Sequence, residues 1–280
     1  MNGSASSESI QKQVDQANRA FWNELCGTGL AQSLGITDDS VESLRRFDEW
    51  YLDFYPYLKT HIPFESFAGQ KVLEVGLGYG TVAQRIAEHG AAYFGLDVAA
   101  GPVSMANRRL ADVNGTGVAI GGSILEAPFP DATFDYVVAI GSLHHTGALD
   151  RALSEVYRLL KPSGGATVMV YNAISYRQLI LNPIKTLRRK MSDPAQYVSH
   201  NETDERMRRA YDANAAGSGA PQTEFVTRAE LAHLARDFSR CEISAENIGG
   251  ESVLRYLSRS TACRLFGPHL GLDLYCRLVK

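Results

Sequence analysis

One stretch constrains the chain more than any other: Lys71 to Asp97, KVLEVGLGYGTVAQRIAEHGAAYFGLD. Val72, Leu73 and Val75 form a short apolar run of the kind that builds a strand buried on both faces. Gly76, Gly78 and Gly80 break it. Val82, Ile86 and Ala87 then fall on one side of a helix that Gly90 stops. Ala92 to Leu96 is a second apolar run, and it ends on Asp97. A glycine-rich turn between strand and helix brings backbone N–H groups close to a ligand, with no Cβ in the way. An acid closing the next strand suits the two hydroxyls of a ribose. The stretch therefore predicts a nucleoside-bearing cofactor.

Which cofactor is decided by spacing. A dinucleotide fingerprint runs G-x-G-x-x-G, but Thr81 stands at its last position. The glycines here run G-x-G-x-G, and Glu74 sits two residues ahead of them. A carboxylate at the mouth of the turn suits an ammonium group better than a pyrophosphate. With acid-x-G-x-G-x-G the chain resembles the class I S-adenosylmethionine (SAM)-dependent methyltransferases. PFPDATFDYV resembles that family's approach to the fourth strand, and RLLKPSGGATVMV its turn and fifth strand. The likeness covers residues 69–172 closely and 225–280 in outline. The double histidine 144–145 is shared with the branch that includes quinone-ring and other small-molecule methyltransferases.

The resemblance implies roles. Glu74 and the backbone of Gly76, Leu77, Gly78 and Gly80 would hold the methionine part of SAM. Asp97 would take the ribose, Val98, Ser123 and Ile124 the adenine, and Ile140 and Gly141 the sulfonium side. Many relatives carry an acid where Ser123 stands, so the adenine contact at that position is the weaker one. His145 or His144, at the end of the fourth strand, is the candidate general base, since an imidazole titrates near neutral pH. The alternative is that the histidines only shape their loop. Tyr51, Tyr57, Tyr171 and Asn172, with His144, are candidates for the acceptor pocket.

Taken in order, the pattern predicts a polar, disordered start of about ten residues, then helices over 11–25 and 35–60, the latter capped at Asp38, Asp39 or Ser40. Strands follow near 71–75, 92–97, 118–120, 136–140 and 166–171, separated by helices and by a turn at Pro162–Gly165. Such alternation predicts an α/β, Rossmann-like, mostly parallel sheet of seven strands with helices on both faces. The expected organisation is an N-terminal helical cap (1–66), a SAM-binding core (67–172), an insertion or lid after the fifth strand (173–223), and the C-terminal part of the core (224–280). The insertion has a loose loop at 215–221. It also carries an apolar stripe (Tyr176, Leu179, Ile180, Ile184, Leu187, Met191) beside Lys185, Arg188, Arg189 and Lys190. We read the stripe as packing on the core with the basic face solvated, because acids interrupt the basic run. A membrane surface or an anionic acceptor is the alternative.

Composition narrows the function classes. A formal net charge of -3 gives no general pull toward nucleic acid. No apolar run approaches the ~20 residues that span a bilayer, and the polar start lacks a signal-peptide core. Cys26, Cys241, Cys263 and Cys276 lack metal-ligand spacing, so no metal is expected and reduced thiols in the cytoplasm are. The reading is a cytoplasmic SAM-dependent methyltransferase acting on a small molecule, with a specialised metabolite as the expected acceptor and S-adenosylhomocysteine (SAH) as product. A homodimer through the helical cap and a peripheral membrane contact stay open. The rival functions are a non-catalytic SAM-binding protein and a nicotinamide-dependent oxidoreductase.

Overall fold

In a computed structural model, residues 2–24, 33–36, 38, 40–113, 115–249 and 257–280 are described. Leu25, Cys26, Asp39 and Asn114 lie outside them. Five strands alternate with helices: β1 Lys71–Val75, β2 Ala92–Asp97, β3 Gly117–Gly121, β4 Phe134–Ile140 and β5 Leu160–Asn172. They pair in parallel, β1 central between β2 and β4. After a helical excursion come β6 Phe225–Val226, β7 Arg240–Glu246 and β8 Asp273–Val279. The order along the sheet is β3-β2-β1-β4-β5-β8-β7, with β8 antiparallel to both neighbours.

The sheet has eight strands, one more than the seven expected. The extra one is the two-residue β6, which pairs with Tyr171 and Asn172 of β5 just beyond the point where β4 leaves it. A second difference lies at Pro162–Gly165. No turn separates helix from strand; β5 begins at Leu160, and its register against β4 jumps from Phe134↔Leu160 to Tyr136↔Gly165. The surplus residues form a bulge in which Ser163 takes φ 65°.

Alternate strand residues feed two cores, as a period of two requires. Leu73, Val137, Val168 and Val170 face the helix Leu149–Leu159, while Val72, Val138 and Met169 face the N-terminal segment and its neighbours. Helices α1 Asn2–Trp22, α2 Val41–Phe54, α3 Leu58–His61, α4 Thr81–Glu88 and α5 Ala100–Asp112 precede β3, and the last four border that second core. Ser40 caps α2, its hydroxyl accepting from the Ser43 amide. Helix α1 takes in most of the ten residues expected to be disordered. Extending a packed helix by one residue costs little once its first turn exists, and 11–22 are pinned: Gln11 donates to the Thr146 carbonyl (2.9 Å), Asn18 to that of His145 (2.6 Å), Arg19 to that of Val98 (3.0 Å). So α1 lies across the carboxyl ends of β2 and β4.

A buried ion pair joins three helices. The guanidinium of Arg109 on α5, 2% exposed, grips both Asp48 oxygens on α2 at 2.7 and 2.9 Å, and also donates to Gln84 on α4. Thr81, opening α4, donates to the same Asp48.

Helices Leu149–Leu159, Tyr176–Leu181, Pro183–Lys190, Glu205–Tyr211, Arg228–Leu234 and Arg259–Leu270 are α6 to α11. The loop 215–221 is held in place: Asn214 and Ser218 exchange hydrogen bonds and Ala213 bridges Gly219. A third difference concerns α7 and α8. Ile180, Ile184, Leu187 and Met191 face outward, 56–81% exposed, instead of packing on the core.

Asp48→Ala leaves the Arg109 charge buried without its partner. It should lower unfolding free energy by about 3–5 kcal/mol, read as a fall in the urea midpoint at constant slope. A loss under ~1 kcal/mol would mean the pair does not hold α2 to the core.

Candidate active site

The three glycines serve three different needs. At Gly76 (φ +81°) a Cβ would stand 2.3 Å from the Ser142 Cβ, so the turn after β1 closes on the loop after β4, and Ser142 donates to the Val75 carbonyl at 2.6 Å. At Gly80 (φ +72°) a Cβ would meet the Arg109 side chain at 2.9 Å, so this glycine serves the helix-joining ion pair. At Gly78 (φ +49°) a Cβ would meet nothing within 4 Å. That space is a cavity of about 270 Å³ at the carboxyl ends of β1, β2 and β4.

Two acids line it. Glu74, at the fourth position of β1, is 3% exposed and accepts a hydrogen bond from the Tyr93 hydroxyl at 2.7 Å. Burial pushes its carboxyl up to about 8, outweighing that bond, and nearby Asp97 adds to the rise. Asp97 closes β2. Its two oxygens accept from the Leu77 and Ala99 amides, both at 2.8 Å, and burial still holds its pKa above the usual carboxylate range. Each oxygen keeps a second lone pair for a ligand hydroxyl.

Of the residues named from sequence, Gly76, Leu77, Gly78 and Val98 join Glu74 and Asp97 in the lining. Ser123, Ile124, Ile140, Gly141, Tyr51 and His145 complete that set. Ser123 is partly spent, its hydroxyl accepting from the Leu125 amide. Gly80, Tyr57, His144, Tyr171 and Asn172 stand outside the lining. Tyr57 packs edge-on against Tyr275 in the sheet core. Asn172 is satisfied at both ends, donating to the Gly271 carbonyl and accepting from the Ile174 amide. Tyr171 stands behind the histidines, its ring 4.1 Å from that of His144.

The two histidines differ. His144 is fully buried, and burial first, then its neighbour His145, holds its ring well below the ordinary histidine range. His145 is 5% exposed and reaches the cavity. Its Nδ1 pairs with the Gln222 carbonyl. A carbonyl only accepts, so in the neutral ring Nδ1 carries the proton and Nε2 a free lone pair. Burial depresses the His145 pKa, while Asp212, whose carboxylate lies 3.5 Å from Nε2, and the Gln222 carbonyl oppose that shift. Tyr171 donates to the same Asp212 at 3.0 Å.

Sequence reasoning did not single out Asp212, nor the wall that α1 supplies. Asp15, Asn18 and Trp22, spaced three and four apart, line the cavity, and the Trp22 ring lies 4.9 Å from His145. The i, i+3, i+7 spacing on α1 was the available signal, but polar residues at that spacing mark a solvated face as often as a site. Among the described residues no cluster of three or more metal-ligating side chains occurs.

Residues 73–168 match a methyltransferase domain family. Over that stretch the chain is similar to methyltransferase domains. It is 30% identical over 135 residues to a demethylmenaquinone methyltransferase of Symbiobacterium thermophilum, covering 45% of this chain and 50% of that one. To a sterol 4-C-methyltransferase of Caenorhabditis elegans it is 33% identical over 104 residues, 36% and 30% of the two chains. The chain thus spans about half the length, or less, of these relatives. In fold it is similar to a putative SAM-dependent methyltransferase from Listeria monocytogenes (TM-score 0.54, 16% identity, 82% and 99% of the two chains covered).

The cofactor of this domain is SAM, and the cavity fits it. A buried acid with no cation bonded to it among the described residues awaits an ammonium group, an acid with spare lone pairs awaits a ribose, and the open side of Gly78 admits close backbone approach. One consequence is measurable. At pH 7 Glu74 is largely protonated, since its pKa is about 8; pairing with an ammonium group ionises it. SAH binding at pH 7 should therefore release a proton, about one per site at most, read by calorimetry in two buffers of different ionisation enthalpy. Release should vanish at pH 9.5 and in Glu74→Gln. Binding of unchanged heat in both buffers at pH 7 would remove Glu74 from the ammonium position.

Proposed function

We propose that this chain transfers the methyl group of SAM to a small-molecule acceptor, with His145 as general base. One observation carries the reading: Glu74, Asp97 and His145 line one and the same cavity. SAM supplies a methyl group bonded to a sulfonium leaving group. The protein's task is then to position the acceptor in line and take its proton. The Nε2 lone pair of His145 accepts that proton as the acceptor oxygen or nitrogen bonds to carbon and the sulfur keeps the electron pair of the broken bond. Asp212 steadies the imidazolium so formed, and the Tyr171 hydroxyl and the His145 charge favour its ionised form against the effect of burial. Phe47, Tyr51 and Trp22 offer flat apolar walls to the acceptor.

The insertion fixes this base. Gln222 holds Nδ1, and the Glu224 amide donates to the His144 carbonyl at 2.8 Å. Glu224 in turn receives the Tyr197 hydroxyl at 2.7 Å. On this reading residues 197–225 form the back wall of the acceptor site, and the cap residues 1–66 its roof. The relatives named for menaquinone and sterol substrates support a small acceptor. The described cysteines, Cys241, Cys263 and Cys276, are free thiols, which suits the cytoplasm. No helix among the described residues is long and apolar enough to cross a membrane.

His145→Ala should cut turnover by roughly 10²–10⁴-fold and leave SAH affinity unchanged; unaltered turnover with a genuine acceptor would remove His145 as base. The pH profile follows from the shifts. The groups facing His145 are Asp212, His144, Tyr171 and the Gln222 carbonyl. Net depression of its pKa places the acid limb below the ordinary histidine value of about 6.5. Asp212→Asn removes a negative charge that favours the imidazolium, so it should move that limb to still lower pH and lower the plateau. A limb that stays put would show that Asp212 does not act through His145.

A further inference from the structure

Helix α8, PIKTLRRK, is inside out. Its buried residue is Thr186, whose hydroxyl bonds the Gln178 and Asn182 carbonyls at 3.0 and 2.8 Å. Two of its cations pair with buried carboxylates, Arg189 turned inward and Lys185 still half in solvent. Lys185 pairs with Glu202 at 2.7 Å, the Glu202 side chain being 6% exposed. Arg189 pairs with Glu230 at 3.2 Å, and that side chain is 6% exposed too. Glu230 itself closes the capping box of α10 with Thr227. The polar face of α8 is thus anchored to the protein by two carboxylates.

Its apolar face points to solvent. Ile184 is 69% exposed, Leu187 58% and Met191 81%; Ile180 on the adjoining α7 adds 56%. Ile184, Leu187 and Met191, at i, i+3 and i+7, form one stripe along α8 and its C-cap, and Ile180 adds a fourth exposed apolar side chain across the break at Asn182. Isolated exposed apolar side chains are ordinary, whereas a stripe of three bulky ones along one short helix is not. Arg188 and Lys190 flank it, both exposed, and residues 180–191 contain no acid.

We propose that this stripe docks on the surface of an anionic lipid bilayer, Ile180, Ile184, Leu187 and Met191 entering the headgroup boundary while Arg188 and Lys190 meet lipid phosphates. An amphipathic helix with apolar residues on one face and Lys/Arg beside them is the form that lies in such an interface. The charge pattern favours lipid over a second copy of the chain: pairing two such faces about a twofold axis sets Arg188 and Lys190 against like charges. The net charge of -3 for the whole chain makes the local cluster a property of this face, not of the surface at large.

The test is flotation of the full chain with vesicles of phosphatidylglycerol and phosphatidylcholine in equal parts, against phosphatidylcholine alone. The wild-type chain should float with the anionic vesicles and stay behind with the neutral ones. Ile184→Asp with Leu187→Asp should lower partitioning at least tenfold, as should Arg188→Glu with Lys190→Glu. All four positions are exposed, and retained SAH affinity checks that each variant is folded. Failure of the wild type to bind anionic vesicles overturns the proposal, as does binding that the Asp pair leaves intact. A wild-type dimer in light scattering that the Asp pair converts to monomer overturns it in favour of a second copy. None of these outcomes depends on methyl transfer.

Discussion

Glu74 is the constraint around which the rest is arranged. It stands on the central strand, nearly sealed from water, with a tyrosine hydroxyl as its polar partner. Removing a carboxylate from water costs several kcal/mol unless a cation is paired with it. The free protein meets that cost by keeping the group largely protonated. Such a residue is poor for stability and well suited to binding a cation. Its folded pKa lies above its unfolded value, so what stability it contributes belongs to low pH and is lost as pH rises through about 8.

The surroundings make that arrangement tolerable. The Gly76 turn is locked to the β4 loop by close approach, and Gly80 lets α4 start against the Arg109–Asp48 pair. That pair brings α2, and with it Tyr51 and Phe47, over the cavity. From the other side the return of the insertion through β6 holds the His144–His145 loop. Cofactor side and acceptor side are thus fixed by different parts of the chain and meet in one cavity.

How much of this was legible follows the range of the interactions. Strands β1 to β5 announce themselves because each is a short apolar run closed by Gly, Asp or Asn, and Glu74, Asp97 and the glycines share one local motif. Thr227 and Glu230, three apart, likewise mark the start of α10. Strand β6 was not legible, since two residues carry no period and only the edge of β5 makes them a strand. Asp212 sits among polar residues with nothing to mark it until the fold sets it beside His145. That Gly80 approaches the Arg109 side chain was not legible, because a glycine's local freedom does not say what it approaches. The α7–α8 stripe was turned the wrong way because amphipathic reasoning takes the interior to be apolar; here the protein offers Glu202 and Glu230, which draw Lys185 and Arg189 to that side.

The most direct test of the central claim is a calorimetric titration of the purified chain with SAM, SAH and NAD. The account predicts binding of SAM and SAH in the micromolar range and no heat with NAD. Binding of NAD without SAM would contradict it, and the stretch from Lys71 to Asp97 would then be a distorted dinucleotide site.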